Sequence, residues 1–239
     1  MNAAVRAWAV VPAAGRGSRM GTELPKQYLQ LAGRTVLEHT LSALLAHPQI
    51  DGVTVALSAN DPHWPGLESL HGKPIVAVTG GAERADSVLA ALRHELPSHH
   101  DQTWMLVHDA ARPNLHPQDL TRLLEALSNA DCAGAILASR VADTLKRADA
   151  QQCIAETVDR STLWRALTPQ VFRRRTLRQA LERAQTEGVV VTDEAMAIER
   201  QRQTVQLVEG RADNLKITTP ADLELAAFLL QQRLQKGSL

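Results

Sequence analysis

The chain is poor in aromatics, in cysteine and in net charge. Phe, Trp and Tyr make up 3% of its 239 residues, so a stacking platform for single-stranded nucleic acid is not expected. Lysine plus arginine number 26, as do aspartate plus glutamate, and the formal net charge is zero. A general nucleic-acid binder is usually basic, so nucleic acid is excluded as a partner. The two cysteines, Cys132 and Cys153, make neither a metal spacing nor a disulfide framework. They read as reduced thiols with no special role, as in a cytoplasmic protein. No apolar run approaches the roughly 20 residues of a membrane span. Residues 1–7 carry one arginine and no long apolar core follows, so no signal peptide is expected.

What is present suits a folded α/β protein. The composition is 44% hydrophobic and 22% charged, and the length suits one domain, residues 1–239, around a single core. "WAVVP" (8–12), "VTVAL" (53–57), "IVAVT" (75–79), "WMLVH" (104–108) and "GAILA" (134–138) read as strands apolar on both faces, as in a parallel sheet covered by helices. Helical patterns alternate with them. In "TVLEHTLSALLAHP", Val36, Leu37, Leu41, Leu44 and Leu45 share one face, and Thr35 with Glu38 fits a capping box. "RADSVLAALRHEL" and "HPQDLTRLLEAL" are helical in the same way, and "TPADLELAAFLLQQRL" begins with Thr219 as cap and Pro220 at the first helical position. The alternation predicts an open, mainly parallel, Rossmann-like sheet with helices on both faces and ligands at the carboxyl ends of its strands.

Residues 139–164 break the rhythm. "DTLKRA" and "CIAETV" read as two short strands around the turn "DAQQ", with little apolar content to bury. A lone hairpin is marginal in water, so it is expected to pack on something. A second subunit is one candidate; the edge of its own sheet is the other.

Three loops carry the chemistry. The first, "WAVVPAAGRGSRMGTELPKQY" (8–28), follows a strand with Ala13, Ala14, Gly15, Gly17 and Gly21, and threads Arg16, Arg19 and Lys26 through them. Small residues admit a close ligand, and the cations make that ligand an anion. A dinucleotide loop is excluded because the third glycine comes one place late, and a P-loop because Gly21-Thr22 lacks the lysine. What remains suits a nucleoside triphosphate, with Arg19 and Lys26 facing charge at a phosphorus under attack; a solvated surface loop is the plainer alternative. The second, "LVHDAARP" (106–113), puts Asp109 and Arg112 at a strand end, where a carboxylate binds hydroxyls or metal and an arginine binds phosphate. Alternatively the two pair with each other. The third, "GGAERADS" (80–87), offers backbone groups to a nucleobase edge, with Ser87 adding a hydroxyl, or else is a plain strand-to-helix turn.

Taken together, "VVPAAGRGSRMG", "PKQYL", "GGAERADSV", "LVHDAARP", "TVDRSTLWRALTPQ", "TDEA" and "VEGRADNLKIT" resemble the 2-C-methyl-D-erythritol 4-phosphate cytidylyltransferases over nearly the whole chain. The resemblance implies a nucleotidyltransferase sheet whose hairpin arm, 139–164, clasps the partner of a homodimer. It implies CTP and methylerythritol phosphate as substrates and Mg2+ held mainly through the CTP phosphates. By position, Arg19 and Lys26 are expected at the transition state and Ala13, Ala14, Gly15, Gly81 and Ser87 around cytidine. Asp109 is expected on the sugar-alcohol hydroxyls. Arg112, Thr144, Arg160, Thr192 and Lys216 are expected around the alcohol phosphate, with Thr144 and Arg160 coming from the other subunit's arm. Arg160 and Lys216 would hold the attacking phosphate in line. Ala82 stands where some relatives carry a polar residue. The cyclase domain fused to this one in some organisms is not expected here. Two alternatives stay open: a pentitol-phosphate (ribitol 5-phosphate) cytidylyltransferase, and a nucleotide-binding regulator without turnover.

Overall fold

The computed structural model describes residues 4–15, 24–96, 99–128 and 131–235. Eight strands form the central sheet, in the order β12-β8-β11-β7-β1-β4-β6-β5. In chain order they are β1 (Ala7–Pro12), β4 (Ile50–Leu57), β5 (Ser69–Leu70), β6 (Lys73–Thr79), β7 (Trp104–Val107), β8 (Gly134–Arg140), β11 (Trp164–Arg173) and β12 (Val205–Glu209). The small ladders β2 (Gln30–Leu31) with β3 (Arg34–Thr35), and β9 (Leu145–Ala148) with β10 (Ile154–Val158), lie apart from it. β1 pairs in parallel with both β4 and β7, and β6 continues the series. The expected open α/β sheet is therefore present.

Alternation along the strands decides which layer each residue feeds. Ala7, Ala9 and Val11 of β1 enter one core, with Leu37, Leu41 and Leu44 of α1 (Val36–Leu45) and Leu120, Leu123 and Leu124 of α3 (Pro117–Ala126). Trp8 and Val10 enter the other, with Val88, Leu89 and Leu92 of α2 (Arg84–Arg93), Leu177 and Leu181 of α4 (Arg174–Thr186), and Ile198 of α5 (Glu194–Glu199). The helices thus cover both faces, as a parallel sheet requires. A third cluster joins Leu31 and Val36 to Ile217 and to Ala226 and Leu230 of α6 (Pro220–Gln235). The Thr35–Glu38 capping box forms, worth about 1 kcal/mol to the start of α1.

The structure corrects three expectations about the sheet. β6 is not apolar on both faces: only Ile75 in it is buried. It lies one strand from the edge, with the two-residue β5 beyond it. β11 is an unanticipated central strand, antiparallel to both β7 and β8. Its sequence, "WRALTPQVFR", carries a proline, and the register against β8 shifts between Ala166 and Gln170 around it. Irregular pairing is what lets a central strand tolerate proline. β12 is unanticipated as well; as the edge strand it buries only Val208 and lacks a continuous apolar run.

The hairpin alternative on the chain's own sheet edge does not hold. β9 and β10 pair only with each other, with Lys146 opposite Thr157 and Leu145 opposite Val158. They extend the β8–β11 pair beyond Arg140 and Trp164, and Ile154 is 68% exposed.

Candidate active site

The expected site loops converge because their strands are neighbours and run the same way. Ala13 N–H donates to Ala56 O at 2.7 Å, Gly80 N–H to Leu57 O at 2.7 Å and His108 N–H to Val10 O at 2.9 Å, so each loop leaves the same end of the sheet. That is the carboxyl end, where open α/β sheets bind ligands. A cleft there is walled by Ala13, Ala14 and Gly15 and by Gly81 and Ser87, together with Lys26, Asp109 and Lys216. Eight of the expected site residues thus meet in one place.

Each wall has a local cause. Gln27, buried in the 3-10 turn Lys26–Tyr28, donates to Ala13 O at 2.7 Å and Gly15 O at 3.1 Å, fixing the opening loop against the Lys26 segment. Lys26 Nζ donates to Ile217 O at 2.9 Å, beside Lys216. Gly81 has to be glycine: a Cβ there would lie 2.3 Å from that of Asp86. Ser87 is buried, and its hydroxyl accepts from Gly81 N–H at 3.1 Å. It holds the turn that faces the cleft.

Asp109 is the electrostatic centre. Its Oδ1 accepts from Arg84 Nε at 2.9 Å, and its Oδ2 lies 3.2 Å from Arg112 Nε and 3.0 Å from Lys216 Nζ. The Asp109–Arg112 pair considered from sequence exists, but as part of this larger network. Burial pushes the Asp109 carboxyl up; Arg84, then Lys216 and Arg112, outweigh it and hold the group well below the usual carboxylate range. Asp109 is therefore an ionised carboxylate among three cations, Arg84, Arg112 and Lys216. Arg112 is itself nearly buried and donates to Asn214 O at 2.7 Å. Burial pushes its pKa down, against the pull of Asp109.

A second hollow shares Arg84, Asp109 and Lys216 with the first and is lined further by Arg112, Thr168 and Thr192. Asp109, expected on the alcohol hydroxyls, and Arg112, Thr192 and Lys216, expected around the alcohol phosphate, thus line this hollow together. Thr144 and Arg160 line neither hollow; both are exposed at the root of the arm, where Arg160 Nη1 donates to Ala142 O. Arg19 lies outside the described residues.

Sequence reasoning passed over Arg84 and Glu194. Arg84 opens α2 inside "GGAERADS". It donates to both carboxylate oxygens of buried Glu194, at 2.6 and 2.9 Å, as well as to Asp109. Glu194 is the second acidic residue of "TDEA", 110 positions on. A salt bridge at that separation leaves no periodic signal; the one available hint was an arginine at a helix start, where a positive charge opposes the dipole unless it is paired.

Among the described residues, no three His, Cys, Asp or Glu side chains converge as a metal site. Asp109 already has both oxygens engaged. This donor set does not by itself make a protein cage for a divalent cation. No helix of the described residues is long and apolar enough to cross a membrane.

Comparison with known proteins agrees with this geometry. The profile of the family described as 2-C-methyl-D-erythritol 4-phosphate cytidylyltransferase matches residues 7–232. The enzyme of that name from Stenotrophomonas maltophilia (strain R551-3) is 55% identical over 233 residues, covering 98% of this chain and 99% of the relative. That from Pseudomonas putida (strain W619) is 54% identical over 218 residues, covering 91% and 92%. A crystal structure of 4-diphosphocytidyl-2C-methyl-D-erythritol synthase superposes with a TM-score of 0.80 at 37% identity, covering 95% of this chain and 99% of the other. The cytidylyltransferase from Thermus thermophilus superposes at 0.74 with 35% identity, covering 95% and 100%. Sequence and overall structure match over nearly the whole chain, and the chain belongs to the 2-C-methyl-D-erythritol 4-phosphate cytidylyltransferase family.

Proposed function

We propose that this chain transfers the cytidylyl group of CTP to 2-C-methyl-D-erythritol 4-phosphate, giving 4-diphosphocytidyl-2-C-methyl-D-erythritol and pyrophosphate in the non-mevalonate route to isoprenoids. The observation that carries the reading is the cleft itself: small-residue walls at Ala13–Gly15 and Gly81, with Lys26, Lys216 and Asp109 between them. A phosphate monoester is already a nucleophile at neutral pH, so the reaction asks for no strong base. Its oxygen forms a bond to the α phosphorus of CTP as the bond to pyrophosphate breaks. The obstacle is an anion approaching a polyanion.

In this reading the backbone around Gly81 reads the base edge and the small wall admits the triphosphate. Lys26, with Arg19 of the same loop, offsets charge on the α-phosphoryl oxygens; each such donor is worth roughly 3 kcal/mol in a preorganised site. Lys216 and Arg112 face the attacking phosphate, and Asp109 takes the alcohol hydroxyls. Mg2+ bound to the triphosphate would lower the repulsion between the two substrates. Thr144 and Arg160 complete the site from the arm of a second chain. Support for a homodimer comes from an arm that is exposed and paired only with itself. A cytoplasmic location is supported by two cysteines that form no disulfide.

The test is pyrophosphate release from the purified protein with CTP and Mg2+, run in parallel with methylerythritol phosphate and ribitol 5-phosphate. Release with the first alone is expected. Release with ribitol 5-phosphate alone would move the protein to the pentitol branch, and binding of CTP without release under either would make it a regulator. CTP is expected over UTP, because a site built on hydrogen bonds to the 4-amino edge penalises a 4-oxo edge strongly.

A further inference from the structure

Beneath Asp109 and Arg112 runs a chain of buried hydrogen bonds whose histidine, His108, lines neither hollow and whose Thr168 lines the second. The His108 ring is fully buried, with Nε2 3.0 Å from Arg112 O and Nδ1 3.0 Å from Thr168 Oγ1. A carbonyl only accepts, so Nε2 carries the ring proton, and Nδ1 is left to accept from the Thr168 hydroxyl. The Thr168 oxygen in turn accepts from Asp109 N–H at 3.1 Å. One imidazole therefore ties the start of the 109–112 turn to its end. The chain extends to the Lys216 loop, since Asn214 Nδ2 donates to Thr168 O and Arg112 Nη1 to Asn214 O, both at 2.7 Å. Thr168 and Asn214 are buried as well.

The turn begins where the β7 ladder stops, so no sheet hydrogen bond beyond His108 N–H fixes it. Yet it must hold a carboxylate and a guanidinium against each other and against the substrate. Burial pushes the His108 pKa down to about 4, which keeps the ring neutral and able to accept. Loss of one hydroxyl at Thr168 would strand two buried groups at once, the Asp109 N–H and His108 Nδ1.

We propose that His108 and Thr168 are positioning residues. Through a fixed ring tautomer they set the 109–112 turn, and with it the aim of Asp109 and Arg112 at the sugar-alcohol phosphate. The proposal deepens the function given above and rests on it for the identity of the alcohol substrate.

The experiment uses the full chain with Thr168→Val, which keeps shape and removes both bonds, and Thr168→Ser, which restores them. Steady-state kinetics with each substrate varied are combined with 15N spectroscopy of the histidine rings. Thr168→Val is expected to lower kcat/KM for methylerythritol phosphate about tenfold or more while the KM for CTP stays within about twofold. Thr168→Ser should recover most of the loss. The His108 ring should show a protonated Nε2 and an unprotonated Nδ1, and the Nδ1 resonance should move in Thr168→Val. Wild-type kinetics in Thr168→Val, equal losses for both substrates with no recovery in Thr168→Ser, or a proton on Nδ1 would each overturn the proposal. Should Thr168→Val fail to fold, Thr168→Ala is judged by the same selective loss. If wild-type protein releases no pyrophosphate with methylerythritol phosphate, the functional reading fails, and the ring resonances alone decide the positioning network.

Discussion

Arg84 grips Glu194 through two parallel hydrogen bonds, at 2.6 and 2.9 Å, and so fixes α2 to α5 across the mouth of the site. Geometry of this kind is the strong form of an ion pair. Its remaining Nε–H reaches Asp109 at 2.9 Å. The arginine is therefore shared between a carboxylate of α5 and one that lines the cleft.

Removing the charge of Glu194 tests that sharing. The Glu194 side chain is 1% exposed, whereas Arg84 keeps 27% of its side-chain surface. Glu194→Gln is thus expected to lower unfolding free energy by about 3 kcal/mol, the lower end for breaking a buried pair. Urea denaturation against wild type measures it. A change within about 0.5 kcal/mol, typical of neutral surface substitutions, would show that the pair carries no stability.

Lys26→Ala should act on turnover. If Lys26 meets charge only as it develops at the α phosphorus, kcat and kcat/KM fall together, by about 10²–10³. Initial rates with CTP varied at saturating alcohol substrate decide it. A rise in the KM for CTP with kcat unchanged would make Lys26 a ground-state binding residue.

Acid should destabilise the fold through two kinds of group. Burial pushes His108 down to about 4, and burial together with Arg174 does the same for His99. Between about pH 6.5 and 4 the unfolded histidines take protons that the folded ones refuse, so stability falls as pH falls, by at most about 3 kcal/mol for a fully buried ring. Asp109 has the depressed pKa of a paired carboxylate. Its contribution is complete above the ordinary carboxylate range, and it declines only below about pH 4. His99 stacks edge-on against Trp8, with ring centroids 4.5 Å apart. His99→Phe keeps that contact and should remove part of the decline between about pH 6.5 and 4 while leaving the loss below about pH 4. Unfolding midpoints in urea at three or four pH values test the split; an unchanged slope would mean that His99 titrates normally.

Much of the site was legible because its residues sit where strands end. Ala13, Gly81 and Asp109 each follow a strand whose apolar run is plain in sequence, and neighbouring parallel strands bring their ends together. What stayed hidden depends on contacts far apart along the chain. β11 reads as broken because of Pro169, and only its pairing with β7 and β8 makes it a strand. Arg84 and Glu194 are ordinary surface residues by type, and only the fold puts them 2.6 Å apart. Gln27 follows the eye-catching Lys26, yet its burial and its two carbonyl partners give it the structural role.

Arg160 is expected to serve the site of the other subunit. It stands at the root of the exposed β9–β10 arm and lines neither hollow of its own chain. In a two-fold dimer with exchanged arms, each site takes Lys26 from one chain and Arg160 from the other. Inactive Lys26→Ala chains mixed with inactive Arg160→Ala chains would then form heterodimers in which one site carries both lesions and the other neither. Random exchange makes half the dimers mixed, so activity should return to roughly a quarter of wild type. If Arg160 served its own chain's site, every site would keep one lesion and mixing would restore nothing. Exchange has to be demonstrated in the same sample, by native mass spectrometry of mass-tagged chains. With exchange demonstrated and no activity regained, the clasped arm would have to be abandoned and Arg160 assigned to its own chain. A mixture that never exchanges is brought to the same test by unfolding and refolding the two variants together.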